Sequence, residues 1–192
     1  LHPGAEVSYT ATPAGVYLSD GYGLLVFRDG AVARATMEAP NAPRLSASIG
    51  GSLSGGLYQV ACTFERQDGT QSCASVTVQA DVPDGGILDI HLPVTTQPLT
   101  AWVNVFVSPV NGDALLLAER MPIGTTSTTL YVPPEQGGRC MTLHMAPMPA
   151  GHIVRQHQGR LLVARGTAVF TSQPYAYGIY DPAEDSMQFP AD

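Results

Sequence analysis

Short apolar runs recur along this chain, and each is closed by Gly, Pro, Asn or Asp. No long segment carries a 3.6-residue apolar period, so the pattern predicts strands and tight turns rather than helices. Near the N-terminus, Val16-Tyr17-Leu18 and Leu24 to Phe27 flank the turn cluster Ser19-Asp20-Gly21. A second turn, Arg28-Asp29-Gly30, leads back into Ala31-Val32, so residues 1–39 read as a β-meander. The texture changes at "EAPNAPRLSA", a stiff extended joint that marks a domain boundary.

Residues 43–133 read as a self-contained β-sandwich. The strongest local signal is residues 58–65, which alternate; Asp68-Gly69 then turns the chain and residues 73–78 return. A two-residue turn there would place Cys73 opposite Phe64 and Cys62 opposite Ser75. Further strands are expected at 46–49, 86–93, 99–109, 114–120 and 125–134. About seven short strands with regular turn signals fit an immunoglobulin-like or fibronectin-like sandwich, in which Trp102 would plug the space between the sheets. The segment "IGGSLSGG" reads as a flexible strand connection, since no Lys or helix follows its glycines. Residues 134–192 read as a linker and a second stretch of meander, with Met145 and Met148 in a loop laid on an apolar surface.

The two meanders share a repeat. "LLVFRDGAV" and "LLVARGTAV" both read L-L-V-x-R-x-x-A-V, at residues 24–32 and 161–169. One β-domain interrupted by an inserted one would account for this, and so would convergence of two hairpins with the same needs. Repeated four-stranded meanders are the sequence mark of a propeller, which needs more blades than the flanks supply. The expected fold is therefore all-β, with an immunoglobulin/fibronectin-like sandwich inserted between propeller-blade-like meanders. The chain starts without Met and ends at "FPAD", so it reads as part of a longer protein.

Composition narrows the function. Hydrophobic residues make up 44% of the 192 and charged residues only 13%, enough apolar material for a true core. The net charge is -7, and this acidic balance argues against nucleic-acid binding as the main task; that all nine basic residues are Arg reads as the mark of a GC-rich coding genome. Cys62, Cys73 and Cys140 are too few and too irregular for a disulfide framework or a zinc site, and buried reduced thiols are expected. No G-x-S-x-G is present. His152 and His157, five apart, would point to opposite faces of a strand and share no metal. Asp181, Glu184 and Asp185 form the densest acidic group, open to reading as a metal loop, an acid pair or, preferably, a solvated loop. No catalytic, cofactor or metal residue is assigned.

Residues 148–190 resemble a segment that recurs in bacteriophage virion proteins. The resemblance rests on Pro149-x-Gly151, Gly159-Arg160-Leu161, Val169-x-x-Ser172-x-Pro174, Tyr177-x-x-Tyr180-Asp181-Pro182 and Phe189-Pro190. The hairpin "GLYQVACTFERQDGTQSCAS" is similar to fibronectin-like modules that precede that segment, with Gln71-Ser72 where Glu-Ser is common. The resemblance implies a structural, non-enzymatic component of a tailed phage virion: a nozzle, hub or adaptor protein of the tail that assembles as a ring with itself and with other virion proteins. It implies no catalytic residue. An acidic channel would touch DNA only passively, and no 18-residue apolar run provides a membrane anchor. Tyr175, Tyr177, Tyr180 and Phe189, with Met145, Met148, Arg160 and Arg165, are the candidate subunit interface. The aromatic cluster reads equally as core. The alternative function is a carbohydrate-binding β-sandwich module, which needs a row of exposed aromatics, and an enzyme of glycosidase type is the remaining class.

Overall fold

The computed structural model describes residues 1–134 and 137–190, and every regular element among them is a β-strand. Numbered in chain order, the first four are β1 (Ser8–Thr12), β2 (Gly15–Ser19), β3 (Leu24–Arg28) and β4 (Ala31–Arg34). There follow β5 (Arg44–Leu53), β6 (Gly56–Arg66), β7 (Val78–Val82), β8 (Gly86–His91), β9 (Thr100–Val107), β10 (Leu116–Pro122) and β11 (Ser127–Leu130). The last are β12 (Ala146–Pro147), β13 (Ile153–His157), β14 (Arg160–Arg165), β15 (Ala168–Thr171), β16 (Ile179–Tyr180) and β17 (Ser186–Gln188). The chain divides into two compact units: residues 1–38 with 144–192, and residues 39–143. The second unit interrupts the first in sequence.

The flanking unit holds two four-stranded antiparallel sheets, β1-β2-β3-β4 and β13-β14-β15-β17, with the small pair β12-β16. The repeat is structural as well as sequential. Tyr17 pairs with Val26 and Ser19 with Leu24; Val154 pairs with Val163 and Gln156 with Leu161, at the same spacing. Asp29-Gly30 and Gln158-Gly159, all at positive φ, turn β3 into β4 and β13 into β14. Even the strand ends agree: the Ala35 N–H donates to the Leu24 carbonyl, and the Ser172 N–H to the Leu161 carbonyl.

Equivalent positions enter one core. Tyr17, Leu24 and Val26 from the first hairpin meet Val154, Leu161 and Val163 from the second, closed by Ala35, Met148 and Tyr177. Stacked propeller blades place the front of one sheet on the back of the next, so equivalent positions would fall on opposite sides of the contact. Here both hairpins turn the same face inward, and the pair forms a two-sheet core rather than consecutive blades. The edge of β13 is tied to β1 by side chains: Val154 N–H donates to Ser8 Oγ at 3.0 Å and Gln156 N–H to Thr10 Oγ1 at 3.2 Å.

The interrupting unit is a two-sheet sandwich, β11-β8-β5 on β10-β9-β6-β7. Its inner faces carry Val60, Cys62 and Phe64 from β6, Leu88 and Ile90 from β8, and Val103, Val105 and Val107 from β9, all buried. Counted from one to seven along the unit, the sheets read 1-4-7 and 3-2-5-6; with β5 taken as strand B, the second follows the G-F-C-C′ order and β5 beside β8 the B-E pairing of immunoglobulin-type sandwiches. The strand count meets the expectation, and β11 beside β8 has no place in that order. Alternation marks which residues of a strand face inward and carries no record of its neighbours.

Three local readings are corrected. The β6 turn has three residues, Gln67-Asp68-Gly69, because Arg66 N–H bonds to the Thr70 carbonyl and Gly69 N–H to the Arg66 carbonyl. Phe64 therefore faces Ser72, not Cys73, while Cys62 still faces Ser75. "IGGSLSGG" is no loose connection: Gly50 and Gly51 both donate to the Gly85 carbonyl and make a bulge in β5. A Cβ on Gly51 would lie 2.4 Å from the Gly86 carbonyl oxygen, so only glycine fits. Finally, residues 137–143 belong to the sandwich, not to the flanking meander. Leu117 N–H bonds to the Gly138 carbonyl and Cys140 N–H to the Leu115 carbonyl, and Cys140 and Leu143 cover Ala61, Phe106 and Leu115.

Candidate functional site

The polar residues that looked chemically promising are spent on the backbone. In the flanking unit, Arg160 Nη1 reaches Asp185 Oδ1 at 3.0 Å and the Ser172 carbonyl at 3.0 Å. Asp185 also accepts from Gln173 Nε2 and from the Asp181 N–H, the latter at 3.0 Å. Three turns separated in sequence are thereby stapled by one carboxylate. Among the described residues no group of three His, Cys, Asp or Glu is placed to hold a metal ion. The loop at 181–185 is solvent-exposed over residues 182–184, as the preferred sequence reading has it, while Asp185 is drawn into a folding knot.

A second device recurs in both units. Ser172 Oγ accepts the Leu161 N–H at 2.9 Å while its own N–H bonds to the Leu161 carbonyl. Ser72 does the same to Phe64, Ser75 to Cys62 and Ser108 to Gln59. Each serine is buried at a place where a strand leaves the regular ladder, and its hydroxyl stands in for the missing carbonyl. The serine of the phage-like segment is therefore a scaffold residue.

Asp20 holds the turn before β3. Its carboxylate accepts the backbone N–H groups of His2, Gly23 and Tyr22, and these hold its carboxyl well below the usual carboxylate range. Beside it opens a pocket of about 480 Å³ whose lining includes His2, Tyr22, Arg34, Thr36 and Met148. The acid is committed to three amides and is not a free base.

On the sandwich, Trp102 faces away from the inter-sheet core, opposite to expectation. Its neighbours Val103 and Val105 take the inner face, so Trp102, Asn104 and Phe106 take the outer one. The Arg120 guanidinium lies 4.5 Å from the indole centroid and also bonds to Glu65 Oε1. Asn104 Nδ2 donates to Glu65 Oε2 at 2.6 Å. One face of the indole is thus occupied by the Arg120 guanidinium. The three cysteines are free thiols. Burial pushes Cys62 up to about 12, with Cys140 adding to it, and Cys73 up to about 11.

The eight candidate interface residues separate into two groups. Met148 and Tyr177 are buried in the flanking core, and Tyr177 stacks edge-on against Tyr17 at 5.3 Å. Tyr180 is half-buried and packs edge-on against Phe170, Met145 is half-buried, and Arg160 belongs to the knot. Arg165, Tyr175 and Phe189 are exposed. Tyr175 sits at φ +57 with its ring over the Gly159 turn, where a Cβ would come within 2.9 Å of it. Only part of the cluster is therefore surface.

The larger exposed apolar surface lies on the outer faces of the two repeat sheets. Register places Ala11, Val16, Phe27 and Val32 in one row, and Tyr9, Leu18 and Leu25 in the next. The equivalent row of the second sheet is Ile153, Ala164, Val169 and Met187. Tyr9 is 66% exposed, Val32 62% and Met187 61%. One sequence signal could have located them: "LLVF" and "LLVA" are unbroken apolar runs, and in a strand such a run makes both faces apolar. Compared with known proteins, the chain matches no family model, no curated protein sequence and no solved structure.

Proposed function

We propose that this chain is a structural component of a tailed-phage virion, a ring-forming tail protein of nozzle, hub or adaptor type that acts by subunit contact and not by catalysis. The observation that carries the reading is the pair of exposed apolar rows, Val16-Phe27-Val32 and Ile153-Ala164-Val169-Met187, on the outer faces of the repeat sheets. Contiguous apolar faces of this kind mark association surfaces. The phage-like motifs of residues 148–190 support it in a second way. Arg160, Ser172 and Asp185 of those motifs are engaged in holding the fold, as a component acting by assembly would use them. A carbohydrate-binding module would need a stacking platform, and Arg120 already covers Trp102.

The test is sedimentation velocity of the full chain, alone and with purified tail proteins. Phe27→Glu with Ile153→Glu places charge in both rows while leaving the inner core untouched. A lower assembled mass and lost binding to tail proteins in the double variant, with far-UV circular dichroism unchanged, is the expected result. A wild-type chain that neither self-associates nor binds tail proteins would overturn the reading.

A further inference from the structure

The sandwich is unfinished along one side. β5 is the edge of its sheet, and among the described residues no strand pairs with its outer edge. It lies against β7, the edge of the opposite sheet. Register with β8 puts Leu45, Ala47 and Ile49 on the core side, beside Ile90, Leu88 and Gly86. Yet Leu45 and Ala47 are only half-buried and Ile49 is 79% exposed. Across the gap, Val78 and Ala80 of β7, also on the core side, are half-buried. An open row of backbone groups and an incompletely covered apolar row thus coincide.

Natural edge strands are blunted by Lys, Pro or inward charge. Residues 45–49, "LSASI", carry none of these. The same stretch is self-complementary about Ala47. With two copies antiparallel and Ala47 on the twofold axis, Leu45 meets the partner's Ile49 on the core side, large beside large with Ala47 small between them. Ser46 meets the partner's Ser48 on the solvent side, and Arg44 meets Gly50, so no like charges are opposed. The bulge at Gly50-Gly51 ends the flat stretch and sets its length.

We infer that β5 is a dimerisation edge: it pairs antiparallel with β5 of a second copy, joining two three-stranded sheets into one and covering Leu45 and Ile49. This contact is separate from the apolar rows of the flanking unit, and either can fail without the other.

The register makes the test specific. Ser46 and Ser48 are exposed and face solvent, so their substitution leaves the monomer's core intact. In Ser46→Lys with Ser48→Lys, each lysine faces a lysine across the axis. In Ser46→Lys with Ser48→Glu, each lysine faces a glutamate. Sedimentation velocity of the full chain at low salt is expected to show the first variant at half the wild-type particle mass, and the second at the wild-type mass. Where β5 is the sole contact, the wild-type particle is twice 20.2 kDa. Circular dichroism and thermal melting check that both variants are folded. A wild-type mass unaffected by the paired lysines overturns the inference, as does a Lys/Glu variant that stays at half mass. Phe27→Glu/Ile153→Glu leaves β5 intact and is expected to retain the pair at twice 20.2 kDa; a monomer there overturns the β5 contact, while a pair that no longer forms the larger assembly bears on the flanking rows alone.

Discussion

Ser172→Ala is the sharpest probe of how this fold is held. Ser172 is fully buried, and its hydroxyl accepts the Leu161 N–H at 2.9 Å and donates to the Gln173 carbonyl at 2.9 Å. Leu161 is itself fully buried at the centre of the flanking core, so no water replaces the lost acceptor. Orphaning a buried donor costs about 1–3 kcal/mol, and the loss of the second bond adds to it, for a total of roughly 2–3 kcal/mol. With a urea m-value of about 2 kcal/mol/M, the unfolding midpoint of the flanking unit should fall by about 1 M. The chain supplies its own control: its single tryptophan, Trp102, lies in the sandwich, so indole fluorescence follows that unit. Circular dichroism and tyrosine absorbance should register the shift while the Trp102 transition stays in place. A midpoint unchanged within about 0.2 M would refute the idea that the hydroxyl substitutes for a ladder carbonyl.

Further outcomes follow from individual groups. The Tyr177 hydroxyl is buried with no hydrogen-bond partner; burial pushes it up, the neighbouring Tyr175 adds to this, and Thr12 pulls weakly the other way without reaching bonding geometry. Tyr177→Phe should therefore match or exceed wild-type stability, by up to about 1 kcal/mol in urea denaturation. Asp20 has a folded carboxyl held below its unfolded value of 3.8, so its contribution is present above 3.8 and is lost only as pH falls through the lower folded value. The melting temperature of Asp20→Asn should trail wild type at pH 7, and the gap should close in strong acid. Asp185→Ala removes an acceptor shared by Arg160, Gln173 and Asp181 and should cost about 1–3 kcal/mol, while added calcium leaves the wild-type melting temperature unchanged. Thiols raised to about 12 and about 11 stay protonated at pH 8, so Cys62 and Cys73 should resist Ellman's reagent until denaturant is added.

The resemblance-bearing motifs can now be read physically. Gly159-Arg160-Leu161, Ser172-x-Pro174 and the loop at 181–185 converge on one stapled knot. Their spacing was visible in the sequence. Their convergence was not, because Arg160 and Asp185 lie 25 residues apart and only the return of β15 brings them together.

The sequence by itself determined the all-β class and most of the strands of this protein, though not the return from β6, where β7 runs over Val78–Val82 and not 73–78. Alternation, Asp-Gly and Gln-Gly turns and the joint near residue 39 follow from local sterics and from the two-residue side-chain period. The repeat, too, proved to be a structural equivalence extending to Ala35 and Ser172. Only the tertiary structure decided which strands are neighbours, which side of Trp102 is covered, and that residues 137–143 cap the sandwich. These depend on pairing across long sequence distances, where a turn of three residues instead of two moves Phe64 from Cys73 to Ser72. Local patterns specify faces; contacts between distant segments specify partners. The β5 edge belongs to the second kind, since its exposed Ile49 becomes visible only once β8 has claimed the other side of the strand.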